Sequence, residues 1–82
     1  PQAPTHFLII PKTHIATLND LDEAQAPLVG KLFLTAKRIA ADRGFADPGY
    51  RTVLNCNAQA GQTVFHVHLH VLAGRLMGWP PG

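Results

Sequence analysis

The chain has 82 residues, of which 46% are hydrophobic and 15% charged, a balance that excludes a disordered chain and predicts one small folded domain. The formal net charge of +2 comes from scattered basic residues and no apolar run reaches about 18 residues, so neither a nucleic-acid polymer nor a membrane is an expected partner. The single cysteine, Cys56, excludes an intrachain disulfide and indicates a reducing compartment, which we take to be the cytoplasm.

The first predicted element is a short strand at residues 5–10, an apolar and β-branched run that we expect to be buried. Pro11 lacks a backbone donor, so strand pairing is expected to weaken there. Asp20 and Asp22 are candidate helix N-caps, and Asp22 has capping-box spacing to Gln25.

A helix is predicted after these caps. Pro27 is tolerated only in the first turn, so the helix is expected to begin close to it, after a loose turn. Gly44 is a suitable residue to end the helix because it can adopt a positive φ. An apolar face follows the helical period, at Leu28, Leu32, Ala36, Ile39 and Ala40.

The second half of the chain predicts two more strands. A turn at 46–49 precedes an alternating strand at 50–55, and a loop at 57–63 leads to the clearest strand, at 64–72. The tail at 78–82 is too rich in proline and glycine for regular structure. The order of strand, helix, strand and strand predicts an α+β fold with an antiparallel sheet.

Three histidines, His66, His68 and His70, alternate with aliphatic residues in the last predicted strand. Since side chains of a strand alternate between faces, the imidazoles are expected on one face and the aliphatic residues on the core face, namely Val67, Leu69 and Val71. Each buried imidazole needs partners for two nitrogens, so stability alone does not account for three of them together. A functional role is the better interpretation.

Two functional interpretations are open at this point. The imidazoles could bind a transition metal, although the other candidate ligands are few and include Cys56, His6 and His14. Alternatively, one imidazole could attack phosphorus while its neighbours donate hydrogen bonds to phosphoryl oxygens. An ordinary imidazole pKa of about 6.5 leaves such a nucleophile mostly neutral at neutral pH.

The loop before the histidines favours attack on phosphorus. Gly61 would let backbone N–H groups approach a phosphate closely, and Thr63 adds a hydroxyl donor. Asn55 and Gln62 lie in the same stretch. A glycine in a loop is weak evidence alone, and its weight comes from its position beside the histidines.

The run His66-Val67-His68-Leu69-His70-Val71-Leu72 is similar to the motif of the histidine triad (HIT) superfamily, in which three histidines alternate with apolar residues. Three further stretches resemble the Hint branch, the histidine triad nucleotide-binding proteins: residues 1–12, residues 61–65 and residues 72–82 with their Trp-Pro-Pro-Gly ending. The resemblance covers essentially the whole chain.

The resemblance implies a purine nucleoside phosphoramidase that forms a covalent nucleotidyl-histidine. The nucleophile would be His68, with His70 on the phosphate and His66 and His6 in a supporting network. The ribose and phosphate would be lined by Asn55, Gly61, Gln62 and Thr63. Thr63 stands where serine is common in that family and keeps the catalytic hydroxyl.

The resemblance also implies a purine nucleotide ligand, such as AMP or an AMP conjugate, and a homodimer with one continuous sheet and two helices per protomer. The chain is expected to be a single HIT domain, 1–82, that lacks an N-terminal part, and to be unstable as a monomer. No cofactor is expected, although some bacterial relatives hold zinc through an N-terminal cysteine pair and histidines matching His6 and His66. A nucleotide-binding scaffold with incidental turnover and a zinc-binding HIT protein are the alternatives.

Four other residues carry expectations. Trp79 should belong to a packed tail, which the resemblance directs toward the partner subunit's active site. Arg75 should join that region or pair with a carboxylate. Cys56 should be a small buried apolar residue, and His14 a surface or structural residue.

Overall fold

The computed structural model describes residues 2–82, in which three strands form one antiparallel sheet and one α-helix packs against it. In chain order the elements are β1 (Thr5–Ile9), α1 (Ala26–Asp42), β2 (Tyr50–Val53) and β3 (Leu69–Ala73). The sheet has the order β1-β3-β2, so the histidine-bearing strand is central. The predicted α+β fold and antiparallel sheet are confirmed.

The start of α1 follows the chemistry of its first residues. Asp22 caps a 3-10 turn at Glu23–Gln25, where its carboxylate accepts from the Ala24 N–H and its own N–H donates to Gln25 Oε1. Pro27 then lies in the first turn of α1, where a backbone N–H would have no acceptor within the helix, so proline costs no hydrogen bond there. The predicted capping box and late helix start are confirmed.

Asp20 is not a helix N-cap, which corrects the prediction. Thr17 caps the short turn at Leu18–Asp20 instead. The Asp20 carboxylate accepts from the Thr17 N–H at 3.1 Å and from its hydroxyl at 2.9 Å. The two residues form a reciprocal capping box, because each side chain accepts a hydrogen bond from the backbone N–H of the other residue.

The end of α1 is set by Gly44, as predicted. This residue has φ +82°, and its N–H donates to the Ala41 carbonyl while the Phe45 N–H donates to the Ala40 carbonyl. These two bonds satisfy carbonyls that the helix would otherwise leave without partners. The chain then turns back toward β2.

The core lies between α1 and one face of the sheet. Its most deeply buried side chains in the sheet segment are Val67, Leu69 and Val71, each at most 1% exposed. Leu32 and Ala36 of α1 pack against them. The predicted inward direction of the aliphatic residues is confirmed, and it forces the alternate side chains, which include the histidines, to the opposite face.

The predicted strands were too long or too buried. The strand at 64–72 begins only at Leu69, because Ile9 is the last residue of β1 to pair with it and the Val67 N–H donates to the Ile15 carbonyl in a loop instead. The strand at 50–55 ends at Val53. The strand at 5–10 ends at Ile9 and is an edge strand, so Leu8 is 47% exposed rather than buried.

Three single-residue predictions are also corrected. Cys56 is half-buried rather than fully buried. Trp79 is 82% exposed, so the tail packs little within the single chain, although the Arg51 guanidinium lies 5.9 Å from its ring centroid. Its packing toward a partner subunit stays a prediction. Arg75 donates to backbone carbonyls, of Gln2 and Leu76, instead of pairing with a carboxylate. Within residues 2–82, the helices lack the length and hydropathy needed to cross a bilayer.

Candidate active site

The strand register gathers imidazoles on the sheet face that α1 leaves uncovered. His6 of β1 lies opposite Leu72, and His70 of β3 lies opposite Leu8. Residues paired across an antiparallel sheet share a face, and residues two apart in a strand do so as well. His6 and His70 therefore project from one face, and His68, which directly precedes β3, has its ring beside that of His70. Each of the three is half-buried.

These three imidazoles form one cluster. His6 Nε2 lies 2.9 Å from His70 Nδ1, and the two ring centroids are 5.2 Å apart. The His68 and His70 ring centroids are 5.0 Å apart. The structure thus brings together the three histidines expected to act as nucleophile, phosphate contact and support.

The partners of His6 determine which nitrogen of His70 carries a proton. The Gln2 backbone N–H can only donate, so His6 Nδ1 accepts this bond at 3.0 Å. The His6 proton is then on Nε2, which donates to His70 Nδ1. Neutral His70 consequently carries its proton on Nε2, where it can donate to an anion.

His68 has the opposite arrangement. Its Nδ1 lies 2.7 Å from the His66 carbonyl oxygen, which can only accept, so Nδ1 carries the proton. A neutral imidazole has one protonated nitrogen, and Nε2 of His68 therefore keeps its lone pair. This nitrogen can act as a nucleophile, and the His66 carbonyl can stabilise the positive ring that forms when it bonds.

The His66 ring does not join the cluster. Its Nε2 donates to the Pro11 carbonyl at 2.8 Å, and its ring packs edge-on against His14 at 5.1 Å between centroids. His66 thus supports His68 through its backbone carbonyl. His14 is an exposed residue whose Nε2 contacts the Phe65 carbonyl, which confirms the surface or structural prediction.

The expected zinc-ligand positions of relatives already have protein partners here. Both His6 nitrogens are hydrogen-bonded, and His66 Nε2 is bonded to a backbone carbonyl. In the described part of the chain, no three histidine, cysteine or acidic side chains are grouped as a metal site.

The pKa of His70 is displaced by its surroundings. Burial lowers the pKa of its imidazole below the ordinary range, and the neighbouring His68 and His6 lower it further. His70 therefore stays neutral at neutral pH. Because unfolded His70 binds a proton more readily, this group favours the folded state above the ordinary imidazole pKa, and the contribution is lost as the pH falls through the folded value.

The loop expected to hold ribose and phosphate is built around Gln62, which is 5% exposed. Its Oε1 accepts from the Asn57 N–H at 2.7 Å, and its Nε2 donates to the Ala16 and Val64 carbonyls. The side chain is thus turned into the protein and fixes the loop. Gly61 has φ +86° and is exposed.

The other two loop residues lie nearer to solvent. Thr63 is exposed, and Asn55 is half-buried just after β2. Val53, two residues before Asn55, is the last residue of β2 and pairs with His70. Asn55 thus follows the strand that pairs with the histidine-bearing strand.

An apolar cleft adjoins His68. It has a volume of about 180 Å³ and is lined by Leu8, Ile10, Val64, His66 and His68. A larger cleft of about 640 Å³ opens between β2 and residues 74–77, but the described residues that line it include no histidine. The smaller cleft is the one placed for chemistry at an imidazole.

The contact between Arg75 and Gln2 could not be predicted from the sequence. The Arg75 guanidinium bonds to the Gln2 carbonyl across 73 positions of the chain. Such a separation leaves no periodicity to detect, and only the register of β1 against β3 brings the two residues together.

Comparison with known proteins agrees with this architecture. The HIT domain family matches residues 1–77. An uncharacterized HIT-like protein of Synechococcus elongatus is 51% identical over 82 residues, which are 100% of this chain and 71% of that protein. A HIT family hydrolase from Legionella pneumophila superposes with a TM-score of 0.98 at 52% identity, over 100% of this chain and 73% of that one. A histidine triad protein from Clostridium difficile superposes with a TM-score of 0.92 at 36% identity, over 95% of this chain and 68% of that one.

Proposed function

The chain belongs to the HIT domain family, and we propose that it is a hydrolase that cleaves purine nucleoside 5′-phosphoramidates through a covalent nucleotidyl-His68 intermediate. The observation that carries this proposal is the 2.7 Å contact between His68 Nδ1 and the His66 carbonyl oxygen. This contact assigns the ring proton to Nδ1, so Nε2 keeps its lone pair and is available to attack phosphorus. A related structure from Legionella pneumophila is described as a HIT family hydrolase, which supports the same class.

The first chemical step is attack of His68 Nε2 on the α-phosphorus. A nitrogen–phosphorus bond forms to His68, the bond from phosphorus to the substrate nitrogen breaks, and the amine leaves with a proton from water. The His68 ring then carries a positive charge, which the His66 carbonyl at 2.7 Å stabilises. In the second step water attacks the same phosphorus and the phosphorus–His68 bond breaks, which releases the nucleoside monophosphate and restores neutral His68. The proton that this water loses neutralises the hydroxide left by the first step.

His70 and His6 stabilise the negative charge of both steps. His70 Nε2–H is free to donate to a phosphoryl oxygen, since His70 Nδ1 already accepts from His6. The backbone of the loop at Gly61 and the Thr63 hydroxyl are further candidate donors to the phosphate, with Asn55 beside the ribose. Gln62 holds this loop in place.

The apolar cleft is the candidate position of the purine. Leu8 and Ile10 are 47% and 54% exposed at its wall, and an aromatic base packed there would cover apolar surface. We further infer a cytoplasmic homodimer, with the sheet continued across a two-fold axis. AMP or an AMP conjugate is the expected ligand, and no cofactor is needed for the steps above.

Hydrolysis of adenosine 5′-phosphoramidate tests the proposal. The chain should release AMP and ammonia at equal rates, with saturation by substrate, because one phosphorus–nitrogen bond is cleaved in each cycle. AMP release can be followed by chromatography and ammonia by a coupled assay. Saturable binding of AMP without any release of amine would instead support a nucleotide-binding scaffold and contradict the hydrolase.

A further inference from the structure

The Arg75 side chain is hydrogen-bonded to the backbone of Gln2, next to the imidazole cluster. Its Nε and Nη2 both donate to the Gln2 carbonyl oxygen, at 3.0 and 2.8 Å, while Nη1 donates to the Leu76 carbonyl. Two donors of a planar guanidinium on one oxygen fix direction as well as distance. The carbonyl of Gln2 is therefore held in one orientation.

The same residue, Gln2, bonds to the cluster through its other backbone group. Its N–H donates to His6 Nδ1 at 3.0 Å, and His6 Nε2 bonds in turn to His70 Nδ1. A continuous chain of hydrogen bonds thus runs from Arg75 through Gln2 and His6 to His70. Within this series of hydrogen bonds, the Gln2 N–H is the group that requires His6 Nδ1 to act as an acceptor.

Close packing supports the same contact. Gly74, just before Arg75, has φ +97°, and a Cβ there would lie 3.0 Å from Pro4 Cβ. The turn after β3 and the segment before β1 therefore touch without space for a side chain. This fit places Arg75 within reach of Gln2 and leaves little freedom for either segment.

We propose that Arg75 is a positioning residue, which holds Gln2 so that His6 and His70 keep the tautomers required for His70 Nε2–H to donate to the phosphate. The proposal rests on the proposed function for its role in turnover, and on the hydrogen-bond chain for its role in tautomer choice. Without the Gln2 donor, His6 could carry its proton on Nδ1. His70 would then carry its proton on Nδ1 as well, and its Nε2 could no longer donate.

The test replaces Arg75 with glutamine and reads the imidazole nitrogens directly. In the unchanged chain, long-range ¹H–¹⁵N NMR near neutral pH should show a protonated Nε2 and an unprotonated Nδ1 for both His6 and His70. In Arg75→Gln, both residues should show mixed tautomers. The matched control is Arg38→Gln, which removes the same charge from an exposed position of α1 and should leave both tautomers unchanged.

Turnover supplies the second readout. Arg75→Gln should lower kcat about tenfold with little change in KM, as expected for loss of one oriented donor in the transition state. Arg75→Lys keeps the charge but not the two-donor fork, so it should also show mixed tautomers, and it serves as the second variant if Arg75→Gln does not fold. A folded Arg75→Gln or Arg75→Lys chain with unchanged His6 and His70 tautomers would overturn the proposal.

The two readouts separate this inference from the proposed function. The NMR measurement needs no substrate. If the unchanged chain hydrolyses no phosphoramidate but Arg75→Gln shows mixed tautomers, the positioning role is supported and the hydrolase is contradicted. If the unchanged chain hydrolyses the substrate but Arg75→Gln keeps its tautomers, the hydrolase is supported and the positioning role is contradicted.

Discussion

Replacing His68 with alanine should reduce kcat for phosphoramidate hydrolysis about 10³-fold or more, because the substitution removes the atom that bonds to phosphorus. His70 cannot replace His68 as the nucleophile, since its Nδ1 is bonded to His6 and its Nε2 carries a proton. Nucleotide binding should survive, as the apolar cleft keeps Leu8, Ile10 and Val64. Steady-state kinetics and calorimetric titration with AMP measure the two effects separately.

His14→Ala is the matched control, because it removes an exposed imidazole outside the cluster. That variant should keep most of its activity. Hydrolysis by His68→Ala at a rate close to that of the unchanged chain would rule out attack by His68.

The second large effect is on stability, and it concerns the residue between the two reactive histidines. Leu69 is 0% exposed and lies in the core between β3 and α1. Leu69→Ala should lower the free energy of unfolding by about 2–5 kcal/mol, through lost burial and the cavity left behind. Such a loss is a large part of the total for a domain of this size, about 5–15 kcal/mol. Urea unfolding at fixed pH and protein concentration measures it.

Leu34→Ala provides the comparison, since Leu34 lies on α1 but is 64% exposed. The same change of side chain there should cost much less than at Leu69. Equal losses at both positions would mean that the face of β3 opposite the histidines is not the core, and the argument that directs the imidazoles outward would fail.

The sequence predicted the common face of His68 and His70 better than the lengths of the strands. Alternation from Val67 to Val71 reports burial, and burial is what places His68 and His70 outward, so their common face followed from the pattern alone. Strand ends depend on partners instead. Leu69 is the first residue of β3 because β1 has ended at Ile9, and no local property of residues 64–68 reveals this.

Hydrogen-bond partners were also beyond the sequence. Gln62 was expected to line the ribose-phosphate site, which stays a prediction, and its side-chain amide bonds to backbone groups of Asn57, Ala16 and Val64. A glutamine side chain can bond to backbone groups or to a ligand, and its 5% exposure, which shows that the amide is buried, could not be predicted from the sequence. Side chains whose role depends on distant backbone groups, such as Arg75 on Gln2, likewise need the folded register.

The most direct test of the account is to find the nucleotide on its histidine. The chain would be mixed with adenosine 5′-phosphoramidate, quenched within the first turnover and digested with trypsin, and the peptide from Thr52 to Arg75 analysed by mass spectrometry. We expect an adenylyl group on that peptide, assigned by fragmentation to His68. An adenylyl group on His66 or His70, or rapid turnover with no adduct at any time, would contradict attack by His68 Nε2.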